Sequence, residues 1–544
     1  MKYKDVSVLV VGGGLTGLSA ALFLAQQGVD SYLVEKHEST TVLTRASGIS
    51  PRTMELLRNA GLEQVVVDRG PKLVEGGRWR DLGQPADQIP WVVLRSTSVA
   101  DMENAVVIEE PSLDFDNVSP LKPHWCGQDR LEPILRDEAV RRGARVRFGT
   151  VLESVDQDAD GVTAVVVDRR TAERTTVRAR YLIAADGVGG ALREQLSVGL
   201  TGHGVVGAAM SVLFKADLGP AIKGRRFVIC YLANPTAPGV LQLFDEERWV
   251  FGFFYDPRST DPAELTEERC AEVLRTALGI PDLEIRVDMT MPWVMSHNVA
   301  DAYRVGRVFL AGDAAHVHPP AGAFGANGGI QDAHNLAWKL AAVLKGWAGE
   351  DLLDTYEQER LPIGSAVAEQ AWLRHTFRLD GGDELGQALI DAAVVGNGYR
   401  YTSDAVEGER YATPLPRDFD LSGGTGYRVP HVWLERDGER VSTVDLAVDS
   451  FVLLTGPDGS AWAEAAGRLP ADVPLVVHVL GHDTPVSDPG GAFPKTARLA
   501  DDGALLVRPD GFVAWRGESE RAAAELGDVL ARTLARTAKQ AGNH

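Results

Sequence analysis

Residues 5–35 read DVSVLVVGGGLTGLSAALFLAQQGVDSYLVE, and the rest of the chain is organised around this stretch. Residues 6–11 are mostly apolar and rich in β-branched residues, and the run is too short for a globular helix, so a buried strand is expected. Gly12-Gly13-Gly14-Leu15-Thr16-Gly17 then puts glycine at all three positions of a dinucleotide fingerprint. An alanine-rich helix over 18–27, Gly28 as its stop, and a second strand over 31–34 follow, closing on Glu35. Each piece has a physical job. Gly12 permits a tight turn, Gly14 lets backbone amides reach a pyrophosphate at the positive helix end, and Gly17 lets helix and sheet pack closely. Glu35 is placed to accept hydrogen bonds from a ribose. The strand, the helix, the second strand and the acid together point to an ADP-containing dinucleotide. A glycine-rich turn without a ligand leaves the acid at the end of the second strand unexplained.

A chain of 544 residues exceeds one hydrophobic core and predicts about two or three domains. Its net charge of −21 opposes nucleic acid and anionic membranes as partners. Cys126, Cys230 and Cys270 are the only cysteines and form no CxxC pair. That argues for a reducing compartment and against a disulfide framework, structural zinc or a dithiol redox centre. Lys2 and Lys4 precede an apolar run, but the run leads into the glycine fingerprint and belongs to the fold rather than to a signal peptide. No apolar segment nears membrane-spanning length. The expected location is the cytoplasm.

Ser50-Pro51 predicts a capped helix start, with the helix over 51–59 and Arg45 and Arg52 flanking its entry as surface groups or ligands. A helix over 128–142 and a strand over 145–148 precede a small antiparallel meander over 152–157, 162–167 and 175–179. Residues 181–185 read as a further strand ending at Asp186-Gly187. From 207 to 255 strand follows strand, rich in aromatics that are mostly core with some free to line a flat pocket. A helix over 262–278 lies across them. Residues 307–313 are again a strand running into Gly-Asp, followed by a loop over 321–325 and helices over about 327–344 and 352–377. Beyond residue 399 the chain reads as a separate α/β unit: strands over 451–454 and 474–480, a helix over 462–468, a hairpin over 505–515 and a helix over 521–537.

Three stretches converge: GGGLTG with Glu35, AADGVGGALR over 184–193, and RVFLAGDAAHVHPPAGAFGANGGIQDAHNLAWKL over 307–340. Together they resemble the single-component FAD-dependent aromatic hydroxylases of the para-hydroxybenzoate hydroxylase fold, the class A flavoprotein monooxygenases. The tail, with PHVW over 430–433 and STVDL over 442–446, is similar to the thioredoxin-like C-terminal domain of the larger members. Within that family the chain looks most like bacterial hydroxylases that tailor polycyclic aromatic polyketides in antibiotic biosynthesis. The implied fold is α/β: a Rossmann-like FAD-binding domain (1–70, 105–190 and 291–398), an inserted β-rich substrate domain (71–104 and 191–290), and a thioredoxin-like tail (399–544) without CxxC.

The resemblance assigns Gly12, Gly14, Leu15, Thr16, Gly17, Glu35 and Lys36 to the ADP half of FAD, and Arg45 and Gln128 to its flavin side. Asp186 and Gly187 stand in a motif shared between FAD and the nicotinamide cofactor. Gly312 and Asp313 would hold the pyrophosphate and ribityl chain, and Pro319, Gly322, Gly325 and Ala326 the loop beside the isoalloxazine. Asn327 and Gly328 would put amides at its pyrimidine edge, where a helix start favours an anionic reduced flavin. Phe244, Phe253, Trp293 and Pro320 are the substrate candidates. Two positions depart from the family: Gly190 replaces a serine and Ala323 a glycine. His318 is either a base at the substrate or a structural histidine. His316 and His318 are spaced like strand neighbours, without the carboxylate or cysteine cluster of a metal site, and no metal is expected.

The implied chemistry is reduction of FAD by NADPH, with NADH as the alternative, then addition of O2 at the flavin 4a carbon and transfer of one oxygen from the hydroperoxide to an aromatic ring. Flavin chemistry explains why no catalytic triad or paired carboxylate is visible. Baeyer–Villiger oxygenation of a ketone, or a flavin-binding accessory protein that does not oxygenate, are the competing readings. The expected partner is a small aromatic molecule, and the expected assembly a monomer or homodimer.

Overall fold

The 5–35 stretch forms a βαβ unit in the computed structural model, which describes residues 2–42, 46–70, 92–110, 115–225, 227–244, 248–482 and 484–536. β1 (Lys2–Val11) and β2 (Ser31–Val34) run parallel on either side of α1 (Leu15–Gln26), with Val8 opposite Ser31 and Val11 opposite Val34. Val8, Leu9, Val10 and Leu33 are fully buried, as strands covered on both faces must be. α2 (Pro51–Asn59) begins as expected, with the Ser50 side chain accepting the Thr53 amide and Pro51 in the first turn.

Next come β3 (Val93–Ser96) and β4 (Val106–Glu109), which pair antiparallel, then α3 (Gln128–Arg141) and β5 (Arg145–Arg147). The meander is β6 (Thr150–Gln157), β7 (Val162–Asp168) and the first half of β8 (Arg174–Ala184). Here the structure departs from the expectation of two strands over 175–179 and 181–185. β8 is continuous because one edge stays parallel to β1 along its length, from Lys2–Thr175 to Val11–Ala184, while its other edge pairs with β7 only up to Ala179.

The chain then forms β9 (Leu200–Lys215), β10 (Ile229–Leu232), β11 (Gly239–Leu243) and β12 (Arg248–Tyr255), followed by α4 (Glu267–Leu278) and β13 (Arg286–Ala300). The helix expected over 262–278 is split. Pro262–Glu264 is a 3-10 turn capped by Asp261, and Thr266 caps a fresh α-helical start by accepting the Arg269 amide. β14 (Val308–Leu310), β15 (His316–Val317), α5 (Phe324–Leu344) and α6 (Asp354–Asp380) complete this part.

Two sheets result. In the first, β14, β8, β1, β2 and β5 lie side by side and parallel. In the second, the order is β15-β13-β9-β12-β11-β10-β3-β4. The expected boundary at 104/105 therefore falls inside the second sheet, because β4 pairs with β3. One face of this sheet, with Met210, Val212 and Phe251, packs on Cys270 and Leu274 of α4.

In the tail, β16 (Phe451–Thr455), α7 (Ser460–Gly467) and β17 (Leu475–Val479) form a parallel βαβ unit. β18 (Ala504–Val507) and β19 (Val513–Gly517) add antiparallel strands on the other edge, before α8 (Leu526–Thr533). The tail has a buried cluster of its own, with Val452, Leu454 and Phe493, and also shares in the core of the first part. Phe451 and Leu453 join the cluster that contains β1 and α5, and the Phe451 ring meets Trp338 edge-on at 6.0 Å. Among the described residues, no helix is long and apolar enough to cross a membrane, and all three cysteines are buried and unpaired.

Candidate active site

The fingerprint glycines do different things. Gly12 has φ +110°, and a Cβ there would run into the Ala185 carbonyl at the end of β8. A Cβ on Gly17 would overlap the Gly12 carbonyl, so this glycine sets how closely α1 approaches the turn. Gly14 is different: a Cβ there would meet only Glu132 Oε1, at 3.8 Å. Among the described residues no side chain caps α1, so its first amides are left for an external acceptor. Leu15 is buried behind them.

Glu35 closes the lip of this turn. Its Oε2 accepts the Gly13 amide at 2.6 Å and its Oε1 the His37 amide at 2.8 Å, while Lys36 is exposed beside it. At the first turn of α3, the Gln128 amide donates to Ala46 O at 2.8 Å and its side chain to Glu132 Oε1 at 2.7 Å. That carboxylate is the one nearest Gly14. Arg45 lies outside the described residues.

At the end of β8, Asp186 Oδ2 accepts the Leu192 amide at 3.2 Å, and Oδ1 is buried without a protein partner among the described residues. Burial raises this carboxyl above its ordinary range. Gly187 turns with φ +81°. Gly190 now has a physical reason, since a Cβ there would collide with the Asp186 carboxyl group, so a serine cannot stand at 190 with Asp186 so placed.

The third element is the Gly312-Asp313 turn and the start of α5. A Cβ on Gly312 (φ +61°) or on Gly329 would strike Thr16 Oγ1, so Thr16 pins α1, the turn and α5 together. Asp313 is exposed although Gly312 and Ala314 on either side are buried. Beneath them Asp332 accepts the Gly312 amide at 3.0 Å, His316 Nε2 at 2.8 Å and Arg360 Nε at 2.6 Å. Burial alone would raise the Asp332 carboxyl, but Arg360 and then His316 hold it well below the usual carboxylate range. Sequence reasoning missed this triad. Asp332 stands inside the quoted motif, whereas Arg360 carries no local sign.

Pro319 is buried and Pro320 exposed in the loop before α5. Gly322 has φ +99°, with the Phe324 ring occupying the space of a Cβ. Ala323 adopts φ +57° and caps α5, which starts at Phe324, three residues earlier than expected. Asn327 fixes this start: Oδ1 accepts the Ser50 amide at 2.9 Å, and Nδ2 donates to Ala323 O at 2.7 Å and Gly48 O at 3.0 Å. Gly325, Ala326 and Gly328 are half-buried around it, over His318 and His316. His318 Nδ1 donates to Pro319 O at 3.0 Å, and its Nε2 is buried without a partner among the described residues. Burial pushes its pKa down to about 4.

The substrate candidates divide. Trp293 is half-buried on β13 and donates from Nε1 to Ser211 Oγ at 2.9 Å. Ser211 shares its face with Gln242, which reaches Ser47 Oγ at 3.3 Å, so this face meets the nucleotide-binding part. Phe253 corrects the expectation: it stacks with Phe251 in the core under α4, on the opposite face. Phe244 sits at the β11–β12 hairpin end beneath the Arg248 guanidinium, 4.6 Å from its ring centre.

The FAD binding domain model matches residues 5–371, and the aromatic-ring hydroxylase C-terminal model matches residues 422–537. The chain thus belongs to the FAD-dependent aromatic-ring hydroxylases and is a flavoprotein monooxygenase of that class. It is 65% identical to the tetracenomycin A2 monooxygenase-dioxygenase of Streptomyces glaucescens, covering 100% of this chain and 99% of that protein. It is 64% identical to the tetracenomycin B2 monooxygenase-dioxygenase of Streptomyces olivaceus, with 98% and 99% covered. The ternary complex of aklavinone-11 hydroxylase with FAD and aklavinone superposes with TM-score 0.87 and 36% identity, covering 98% of this chain and 100% of that one. The residues present fit FAD: two helix starts without a side-chain cap among the described residues, an open face at Gly14, and acids at Glu35 and Asp313.

Proposed function

We propose that the chain hydroxylates a polycyclic aromatic polyketide, with reduced nicotinamide, NADPH before NADH, as electron donor and O2 as oxygen source. The observation that carries this reading is the Gly12–Gly17 turn, the Gly312–Asp313 turn and the α5 start held together through Thr16 and Asn327, in a chain alike over its length to polyketide monooxygenases. Bound there, FAD would supply hydride acceptance and oxygen activation.

The roles of the residues follow from their surroundings. Gly14 and the first amides of α1 hold the pyrophosphate, and Glu35, already anchored to Gly13 N, presents its remaining lone pairs to the ribose. Asp313 binds the ribityl side. The α5 start, held by Asn327, offers amides where negative charge gathers on the flavin ring. Pro319, Gly322, Gly325, Ala326 and Gly328 shape the backbone beside it, and Gln128 closes the opposite side. Trp293 and its face of the second sheet exclude water from the ring to be oxidised.

The test is anaerobic reduction of the purified holoprotein by NADPH, then mixing with O2 and a panel of polycyclic phenols. Products carrying one oxygen atom from labelled O2 on a ring carbon are expected. Return of oxidised flavin with hydrogen peroxide alone for every phenol, or a lactone from a ketone, would overturn the proposal. Asp313→Ala is expected to lose FAD on purification, and normal FAD content would remove Asp313 from the cofactor site.

A further inference from the structure

His297 lies on β13, 6% exposed, and its Nε2 is buried without a hydrogen-bond partner among the described residues. Its tautomer is set by the backbone. The His203 amide donates to His297 Nδ1 at 3.1 Å, so the neutral ring carries its proton on Nε2. Glycine builds this contact. Gly202 (φ +151°) and Gly204 (φ +74°) flank His203 in an irregularity of β9 facing His297, and a Cβ on Gly202 would strike the His297 carbonyl and stand 2.8 Å from Nδ1. Irregularities of this kind re-aim side chains beside active sites.

Nε2–H is therefore a fixed donor with no acceptor at hydrogen-bond distance among the described residues. Glu369 Oε2 on α6 is 3.8 Å away, beyond hydrogen-bond reach, and that side chain is half-exposed. His203 Nε2 approaches the same oxygen at 3.6 Å. The three side chains gather as metal ligands do, but a metal takes a lone pair, and Nε2 has none while Nδ1 accepts the amide. Burial, then the neighbouring His203, lowers the His297 pKa, which keeps the ring neutral near pH 7.

The surroundings are flat and aromatic. The His203 ring lies 4.7 Å from both the His297 and Trp372 rings, Trp372 lies 6.4 Å from His375, and Phe254 meets His375 at 6.0 Å. Phe254 and Trp293 both stand opposite Ala209 and so share its face of the sheet. We infer that His297 Nε2–H recognises a carbonyl oxygen of a flat polycyclic ligand lying against the sheet face that Phe254 and Trp293 share, which makes His297 a specificity-determining residue. This rests on the proposed reading of the chain as a polycyclic hydroxylase.

Ligand binding to the holoprotein, followed by perturbation of flavin absorbance, tests it with a hydroxyanthraquinone and the matching hydroxyanthracene that lacks the carbonyls. The wild-type protein is expected to favour the quinone by about tenfold, the effect of one hydrogen bond to a buried donor. His297→Phe is expected to abolish the preference, and His297→Gln, which keeps an N–H, to retain part of it. A purely structural histidine would move both affinities together. If the wild-type protein oxygenates phenols yet His297→Phe or His297→Gln leaves the quinone preference at its wild-type value, or both lower the two affinities equally, the His297 assignment falls alone. If the wild-type protein oxygenates no polycycle, the functional reading falls and this inference with it.

Discussion

Gly14 and Gly17 look alike in the sequence and are constrained by different things. Gly17 is held by the fold, since a Cβ there overlaps the Gly12 carbonyl, whereas a Cβ on Gly14 meets only Glu132 Oε1, at an ordinary contact distance of 3.8 Å. Gly17→Ala is therefore expected to destabilise the apoprotein by about 1–3 kcal/mol or more through overpacking. Gly14→Ala should leave apoprotein unfolding within about 0.5 kcal/mol of wild type yet weaken FAD at least about tenfold, because the methyl group occupies the approach of the pyrophosphate. Thermal melts of the apoproteins and FAD titration separate the two, and tight FAD binding by Gly14→Ala would move the pyrophosphate elsewhere. Asp332 is a second case. Asp332→Asn leaves Arg360, 1% exposed, without its charge partner, and a loss of about 3–5 kcal/mol in denaturant unfolding is expected. A loss below about 1 kcal/mol would show that the arginine finds another partner.

At the scale of elements, the parts that rest on local pattern were legible. The βαβ start announces itself through β-branched runs, three glycines and an acid, and the helix after Ser50-Pro51 through its cap. What failed did so for reasons without a local signature. α5 begins at Phe324 because Ala323 takes a left-handed conformation that sequence rules reserve for glycine. β8 is one strand because β1 lies along all of it. The glycine turns at Gly12, Gly187 and Gly312 were legible as turns, but Phe253 was assigned to the wrong face, since in a run of aromatics the alternation that separates the two faces is hidden. The partnership of Asp332 with Arg360 spans 28 residues and that of Glu359 with Arg508 spans 149, beyond any spacing rule. The second pair governs how the tail is held. Arg508 and Asp510, on the β18–β19 hairpin, enter a buried cluster with Glu359 and Lys339 of α6 and α5, and Arg428 pairs with Glu55 of α2. Arg508→Ala leaves Glu359 and Asp510 short of a cation, and a loss of about 3–5 kcal/mol is expected. Chains ended at residue 398 should fail to yield a folded FAD-binding part, because they also lose Phe451 from Trp338. A soluble, FAD-loaded truncation would show that the tail is dispensable for the fold.

For the whole molecule, the buried titratable groups give stability a definite dependence on pH. Burial pushes the pKa of His318 and of His431 down to about 4, and that of His334 to about 3. In the unfolded chain these rings titrate near ~6.5, so below that value the unfolded chain binds more protons and the fold loses stability. Their contribution is complete above ~6.5 and is lost as pH falls toward the folded values, amounting at full development to about 3 kcal/mol each for His318 and His431 and about 5 kcal/mol for His334. Asp332 and Glu359 add a second stage of the same sign. Burial would raise both carboxyls, but Arg360 beside one and Arg508 with Lys339 beside the other hold them well below the ordinary range. Their stabilisation is present above the unfolded carboxylate values of about 4 and is lost below them. The melting temperature is thus expected to fall from about pH 6.5 downward and to fall more steeply below about pH 4.5. Scanning calorimetry of the holoprotein at constant ionic strength between pH 8 and pH 4 is the measurement. His431→Gln, in the tail beside Ser442, removes one titrating ring and should flatten only the upper stage. A melting temperature that stays level down to pH 4.5 would mean that these histidines are protonated in the fold, and the buried neutral rings assigned to His318 and His431 would have to be given up.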